Sequence, residues 1–348
     1  MPSTSIDTFF ACIIIVTAAL IATASLASTM QTSINTTQNI NKESYLKAIS
    51  DHIVTNPGAP LNWGSIGVMP TDFGLAASPS TIPYELDLDK ISRLNELNNY
   101  SLSYFDMMNS SRLSNIALGI TVSQIMSINI AQSSNSTIGS ETSFNFAILT
   151  SINSEPVSTS LHCYVIANNY LNEITNTTSD IGLGYLTIQI PSPSTDNAFF
   201  VVFARSSFDN RITSYAIYNF ASSAQETTPN NEVLSLSPLN YSVSLSTNSS
   251  GLDIQSGYLF SYGYQHNIGN VENSNQYSIP KILDNSPFII IIYGTINETS
   301  FQQWIAYPQI PLKAGSSFEN SEQNVFNYIV TVNNVLYKLN ISLGDVPQ

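Results

Sequence analysis

Three histidines, at positions 52, 162 and 266, two cysteines, at 12 and 163, and a short acidic run are the side chains best equipped for chemistry in this chain. The histidines lie far apart in sequence, and none sits in a ligand spacing such as H-E-x-x-H, so each reads as an exposed or satisfied residue. His162 and Cys163 are adjacent, which invites a thiolate and imidazole pair. Neighbours in a regular strand point to opposite faces, however, so Cys163 reads as a small core residue instead. Serine is abundant, yet no G-x-S-x-G elbow occurs and no glycine-rich phosphate loop precedes a helix. Glu85, Asp87 and Asp89 alternate, and could line one face of an extended segment to hold Ca²⁺ with added carbonyls. They lack the turn glycine and terminal glutamate of a calcium loop, which favours Asp87 or Asp89 as the cap of a following helix. Asp7 stands two residues before a long apolar run, either as an ordinary interfacial carboxylate or as a charge with a role in assembly. With no catalytic constellation among these residues, neither enzyme activity nor a cofactor or metal is expected.

The chain that must position these groups has 348 residues, enough for a sizeable core. Only 10% are charged, against ~25% in ordinary soluble chains. Ser (52), Thr (28) and Asn (37) supply about a third of the residues, so hydroxyls and amides must wet the surface. Charge-driven disorder is excluded, since 43% of the chain is apolar. A nucleic-acid role is excluded by ten basic residues against 24 acidic ones, with no basic stripe. The 18 Tyr and 16 Phe mostly alternate along apolar segments, which makes core packing their default role. So few titrating groups predict a stability insensitive to pH between mildly acidic and neutral conditions.

From Phe9 to Ala27 the chain reads FFACIIIVTAALIATASLA, without a charge or a proline. As a helix this run would span ~28 Å, roughly a bilayer core. A cleaved secretory signal is one reading, with Ser25-Leu26-Ala27 as a small-x-small site; a retained membrane or filament helix is the other. The length of the run and the absence of a preceding positive charge favour retention. Asp7 is the sole charged side chain before Lys42, so loop charge says little about orientation. No later segment is long enough to span, and the bulk is expected outside the cell on one N-terminal anchor. Cys12 and Cys163 belong to places that should be far apart, so no intrachain disulfide is expected. Asn-x-Ser/Thr sites occur at Asn35, Asn99, Asn109, Asn135, Asn176, Asn240, Asn248, Asn297 and Asn340. Chance supplies about as many, so the compartment, not their number, makes them glycosylation candidates.

Helical spacing continues through Met30, Ile34, Tyr45, Ile49 and Ile53, across a polar stretch at 35–44 where the helix should weaken or break. Asn56-Pro57-Gly58 stops it. A Pro- and Gly-rich connector follows at 57–84, then an amphipathic helix over Asp87–Asn98, with further helical turns after Ser101. From Ile116 the pattern turns to alternation. Strands are predicted at 116–130, 142–150, 159–168, 184–190, 198–205, 212–220, 232–237, 241–246, 254–264, 288–296 and 302–307. A hairpin of Val325–Val332 and Val335–Leu343 closes the chain, with Asn333-Asn334 as its two-residue turn, because Asn tolerates positive φ. The fold class is α+β: a long N-terminal hydrophobic helix and a predominantly antiparallel β-sandwich ectodomain. The segments are 1–56 (helix), 57–115 (connector), 116–225 and 226–348 (two β units), unless a single large sandwich spans both.

The order of these parts, with Ser5-Ile6-Asp7-Thr8 leading into the helix, resembles the archaeal type IV pilin-like surface proteins. Other carriers of the likeness are Asn56-Pro57-Gly58-Ala59-Pro60-Leu61-Asn62-Trp63-Gly64, Phe73-Gly74-Leu75-Ala76, Leu86-Asp87-Leu88-Asp89-Lys90-Ile91 and Val332-Asn333-Asn334-Val335-Leu336-Tyr337. They cover about 1–98 and 325–343. The resemblance implies a homo-oligomeric filament whose helices leave the membrane for the filament core. Phe9, Phe10, Ile13, Ile14, Leu20 and Ile21 would then be assembly residues. It implies a prepilin peptidase, an assembly ATPase and a membrane platform protein as partners, and a pairing of Asp7 with a neighbouring subunit's amino terminus. The family's short basic leader has no counterpart in Met1 to Thr8, which leaves an upstream start, different processing or a stably anchored relative as alternatives. A monomeric adhesin or solute-binding surface protein is the competing reading.

Overall fold

The computed structural model describes residues 3–113, 115–167, 170–191, 198–220, 224–247, 251–268, 276–297, 299–318 and 323–345; side chains of 3–8 and 32–41 fall outside it. The chain is mostly β-sheet with one N-terminal apolar helix, and it divides into two compact units, Met1–Asp51 and His52–Gln348.

A single α-helix, Ser3–Thr55, accounts for the first unit. The break expected at 35–44 does not occur. Polar Ser, Thr and Asn cost at most ~0.7 kcal/mol each in a helix, less than the penalty of nucleating a second one. Hydroxyls on the apolar run are satisfied locally: Thr17 donates to the Ile13 carbonyl at 2.6 Å, Thr23 to Ala19 at 3.0 Å and Thr29 to Ser25 at 2.9 Å.

In the second unit, the last helical turn is closed by Leu75, whose N–H donates to the Ile53 carbonyl at 2.8 Å. Gly58, at φ +73°, and Gly74 make the close approach that follows. A Cβ on Gly58 would lie 2.5 Å from the Asp72 carbonyl, and one on Gly74 2.2 Å from that of Asn56. Trp63 is fully buried here, donates Nε1–H to the Gly74 carbonyl at 2.9 Å and packs on Phe73. The helix expected over 87–98 is shorter, Leu88–Ser92. Asn95 and Asn98 end it, because their side-chain oxygens accept from the N–H groups of Leu97 and Tyr100 at 3.0 Å, an alternative to helical bonding. A second helix, Tyr104–Ser111, is capped by Ser103.

Five sheets follow. The first orders Glu85–Leu86, Gln323–Val332, Val335–Asp345, Ile116–Gln124 and Leu312–Gly315, antiparallel except for the first pair. The second orders Gln225–Glu226, Thr213–Phe220, Ala198–Ser206, Thr159–Ala167 and Tyr170–Thr177. The third joins Met126–Ile138 to Glu141–Ile152, which also pairs with Glu155–Pro156 and Leu183–Pro191. The fourth holds Ser235–Leu239, Ser242–Ser246 and Gln276–Ser278; the fifth, Tyr264–Asn267, Leu252–Ser261, Phe288–Ile296 and Thr299–Tyr307.

Shared cores link four of these sheets in series. Phe144, Phe146 and Ile188 of the third cluster with Cys163, Phe200 and Val202 of the second. Alternate residues of the same second-sheet strands, Tyr164, Phe199 and Phe203, cluster instead with Phe260, Ile291 and Trp304 of the fifth. Leu259, Ile290 and Ile305 of the fifth then meet Leu236, Val243 and Tyr277 of the fourth. Two sheets are therefore covered on both faces, which explains the unbroken apolar runs at 198–204 and 288–293. The middle core draws on strands before and after 225/226, where a boundary between β units was expected.

The strand predicted over 116–130 divides at Ile125: Ile116–Gln124 belongs to the first sheet and Met126–Ile138 to the third. Tyr170–Thr177, at a sheet edge, escaped the pattern because none of its residues is fully buried and five of the eight are polar. The closing hairpin has the expected turn, with Val332 opposite Val335 and Asn333 and Asn334 at φ 49° and 63°. Asn334→Val is expected to cost about 1–2 kcal/mol, since a β-branched residue is strained at that φ. An unchanged melting temperature in that variant would contradict this.

Candidate assembly helix and ligand cleft

The helical stretch Phe9–Gln31 is long and apolar enough to cross a membrane, and none of it is buried. Its side chains are exposed all round: Phe9, Phe10, Ile13, Ile14, Leu20 and Ile21 range from 45% (Ile13) to 67% (Ile14) exposed. A helix apolar on every side is stable only when something else covers it. Asp7 belongs to the helix backbone, and its side chain lies outside the described residues.

The acidic run separates. Glu85 accepts from the Ser80 hydroxyl. Asp87 caps Leu88–Ser92, accepting from the N–H groups of Asp89 and Lys90 at 3.0 Å. Asp89 accepts from the Tyr307 hydroxyl and the Asn240 N–H, both at 2.8 Å. Among the described residues no group of His, Cys, Asp and Glu is placed to hold a metal ion. Burial pushes the Asp89 carboxyl above the usual carboxylate range, against the two hydrogen bonds. A raised folded-state pKa contributes stability that is fully present below the unfolded pKa and lost as pH rises through the folded one. Asp89→Asn is therefore expected to melt higher than the parent at neutral pH, by a margin that shrinks as pH falls toward 4. A margin independent of pH would contradict this. Asp89 is thus the exception to the pH insensitivity predicted from composition. Asp284 runs the opposite way: burial raises it, but hydrogen bonds from Ser286 and Arg205 outweigh that and hold it below the usual range.

Lys90 and Arg93 are buried cations spent on the connector. Lys90 Nζ donates to the carbonyls of Pro57 at 2.7 Å and Ala76 at 2.9 Å. Arg93 donates to the carbonyls of Trp63, Ser65, Val68 and Tyr100. Desolvation lowers the pKa of both. His162 and Cys163 do diverge: Cys163 is fully buried in the core between the second and third sheets, while His162 meets Glu173 at 2.5 Å on the other face. His52 lies 3.8 Å from Asp72, and His266 is on the short strand Tyr264–Asn267.

Of the glycosylation candidates, Asn99, Asn109, Asn135, Asn240 and Asn297 are exposed. Asn99 donates to the Ser246 hydroxyl at 2.7 Å and Asn176 to the Tyr185 carbonyl at 2.9 Å. Asn340 is half-buried within a strand that has a partner on each side. The side chain of Asn35 and all of Asn248 lie outside the described residues.

A cleft of about 540 Å³, unforeseen in the sequence, opens between the strands Met126–Ile138 and Thr213–Phe220. Its floor includes Tyr215, Ile217 and Trp304; Gln124, Glu226, Thr228 and Lys338 stand around it. Gln124 Oε1 accepts from the Tyr215 N–H at 2.9 Å, and Glu226 Oε1 from the Ile130 N–H at 3.3 Å. Lys338 Nζ donates to Asn153 Oδ1 at 2.6 Å, and Trp304 Nε1 to the Thr227 hydroxyl at 2.9 Å. These residues come from segments up to 214 positions apart in number, so no local spacing could have signalled them.

No family model and no curated protein matches the chain. Among solved structures it is similar to red sea bream transglutaminase at 8% identity and a TM-score of 0.21, over 52% of this chain and 31% of that one. It is also similar to HBP35 of Porphyromonas gingivalis at 11% identity and a TM-score of 0.20, over 52% of this chain and 63% of that one. The chain spans less than two thirds of either protein, and likenesses at these scores carry no argument about fold or function.

Proposed function

We propose that the chain is a structural subunit of an extracellular filament of the type IV pilus kind, with helices packed in the core and a β-sandwich exterior. The observation that carries this reading is the wholly unburied apolar stretch Phe9–Gln31, on a chain whose second unit, His52–Gln348, has cores of its own. Such a helix is satisfied by lipid before assembly and by neighbouring helices after it. A cytoplasmic-membrane precursor, a prepilin peptidase and an assembly machinery complete the reading through the resemblance, and Asp7 would pair with a neighbour's amino terminus. The exposed Asn109, Asn135, Asn240 and Asn297, together with Asn99, whose amide donates to Ser246, are the glycan positions that fit an outward β surface.

Sedimenting native surface material and sequencing the mature N-terminus tests the proposal. Fibres that contain the chain, cleaved just before the apolar run, support it. Cleavage after Ala27, or an uncleaved chain without fibres, overturns it. The cleft favours a second reading, an anchored or secreted solute-binding or adhesive monomer, because a cavity of that size suits a small ligand.

A further inference from the structure

We infer that a small polar pocket beside the Arg205 and Asp284 ion pair binds a neutral sugar, one pyranose ring of a glycan. The pocket belongs wholly to the second unit, so the inference goes beyond the filament reading and does not depend on it.

The pocket holds about 160 Å³, and six of the eight residues that line it carry hydrogen-bonding side chains: Arg205, Asn210, Asp284, Asn285, Ser286 and Asn334. Leu283 and Val335 complete it. The lining comes from the strand Ala198–Ser206, the turn after it, the segment before Phe288–Ile296 and the turn of the closing hairpin. These pieces are tied to one another. Arg205 Nε donates to the Thr213 hydroxyl at 3.2 Å, and that hydroxyl donates to the Asn210 carbonyl at 2.9 Å. Asn333 Nδ2 donates to the Asn285 carbonyl at 3.3 Å, and the Leu336 N–H to the Arg211 carbonyl at 3.0 Å. The Tyr262 ring covers the Arg205 guanidinium at 3.7 Å from its centroid. The site is therefore set before a ligand arrives, which spares binding the cost of ordering it.

The hydrogen-bonding groups left over select the ligand. Arg205 spends Nη2 on the two Asp284 oxygens, at 2.9 and 2.7 Å, and on the Ser286 hydroxyl at 2.7 Å. Among the described residues its Nη1 has no partner, and neither have the side-chain amides of Asn210, Asn285 and Asn334. Each amide offers donors and an acceptor together, the guanidinium adds donors and the carboxylate adds acceptors. A hydroxyl is donor and acceptor at once, so the neighbouring hydroxyls of a sugar ring match this set. Burial opposes ionisation of Asp284, but hydrogen bonds from Ser286 and Arg205 keep it ionised, and its charge cancels that of Arg205. The pair therefore offers no net counter-charge to a carboxylate, phosphate or ammonium group. Pockets for drug-sized ligands start near ~300 Å³, so this smaller one is restricted to a single ring. Leu283, fully exposed, adds an apolar side chain for the C–H face of that ring.

Saturation-transfer NMR on the full chain, in micelles of a detergent without a sugar headgroup, tests the inference with the methyl glycosides of glucose, galactose and mannose. Saturable binding of at least one is expected at tens of millimolar. Asn285→Ala and Asn334→Gly each remove one amide from the pocket, and glycine keeps the positive φ of the hairpin turn. Each variant is expected to bind about fivefold more weakly with no fall in melting temperature. No saturable binding of any of the three glycosides, or full binding by either variant, overturns the inference. Saturation by acetate or alanine with none by the glycosides also overturns it. Surface fibres are scored separately, so a chain that forms fibres and binds no sugar strikes this inference and leaves the filament proposal standing.

Discussion

Cells that make the Ile14→Asp, Leu20→Asp double variant in place of the parent chain are expected to carry no surface fibres containing it. Both residues lie inside the apolar stretch, at 67% and 64% exposure, so neither supports a core within the chain. The effect falls instead on whatever surrounds the helix. A carboxylate near the middle of a lipid-embedded helix costs about 2.5–3.5 kcal/mol, and two together exceed the margin of most associations. Between packed helices an unpaired carboxylate is penalised in the same way. The β unit has its own cores and should stay folded, so the variant protein ought to remain detectable while fibres vanish. The conservative pair Ile14→Val, Leu20→Met serves as the control and is expected to keep fibres. Fibres of normal number and length from the Asp variant would remove the filament proposal.

Arg93→Met is expected to destabilise the His52–Gln348 unit by roughly 3–5 kcal/mol, the range for removing one partner from a buried charged network. Arg93 is 3% exposed and donates to four main-chain carbonyls, two of them at 2.6 Å (Val68) and 2.9 Å (Tyr100). Methionine fills much of the volume but leaves those carbonyls without their donor, at about 1–3 kcal/mol for each group left buried and unsatisfied. For a unit of this size the melting temperature should fall on the order of 10 °C. Arg93→Lys should recover only part of the loss, because an ammonium cannot span carbonyls that a planar guanidinium reaches together. Calorimetric melting of both variants checks this, and a shift under about 3 °C for Arg93→Met would contradict it.

Legibility followed the range of the interactions. The helix that ends at Asn56-Pro57-Gly58, the cap at Asp87 and the Asn333-Asn334 hairpin rest on contacts within a few residues, and each was readable in sequence. The opposed faces of His162 and Cys163 followed from strand geometry alone. The early end of the helix after Ser92 was missed, although its cause, the side chains of Asn95 and Asn98, is local; the apolar spacing of Leu88, Ile91, Leu94 and Leu97 outweighed it. Tyr170–Thr177 was missed because an edge strand need not bury a continuous face. The division of 116–130 at Ile125 was hidden for another reason: both halves alternate well, and only their partners differ.

The amino-acid sequence by itself determined that this chain carries a long apolar N-terminal helix and a β-rich, sparsely charged remainder, because helix length, alternation and turn chemistry are properties of neighbouring residues. Only the tertiary structure decided which strands share a core, which edges stay open, and that Gln124, Glu226 and Lys338 surround one cleft. Pairing between strands 100 or more residues apart is selected by the whole set of competing partners, and that selection leaves no mark in any local spacing.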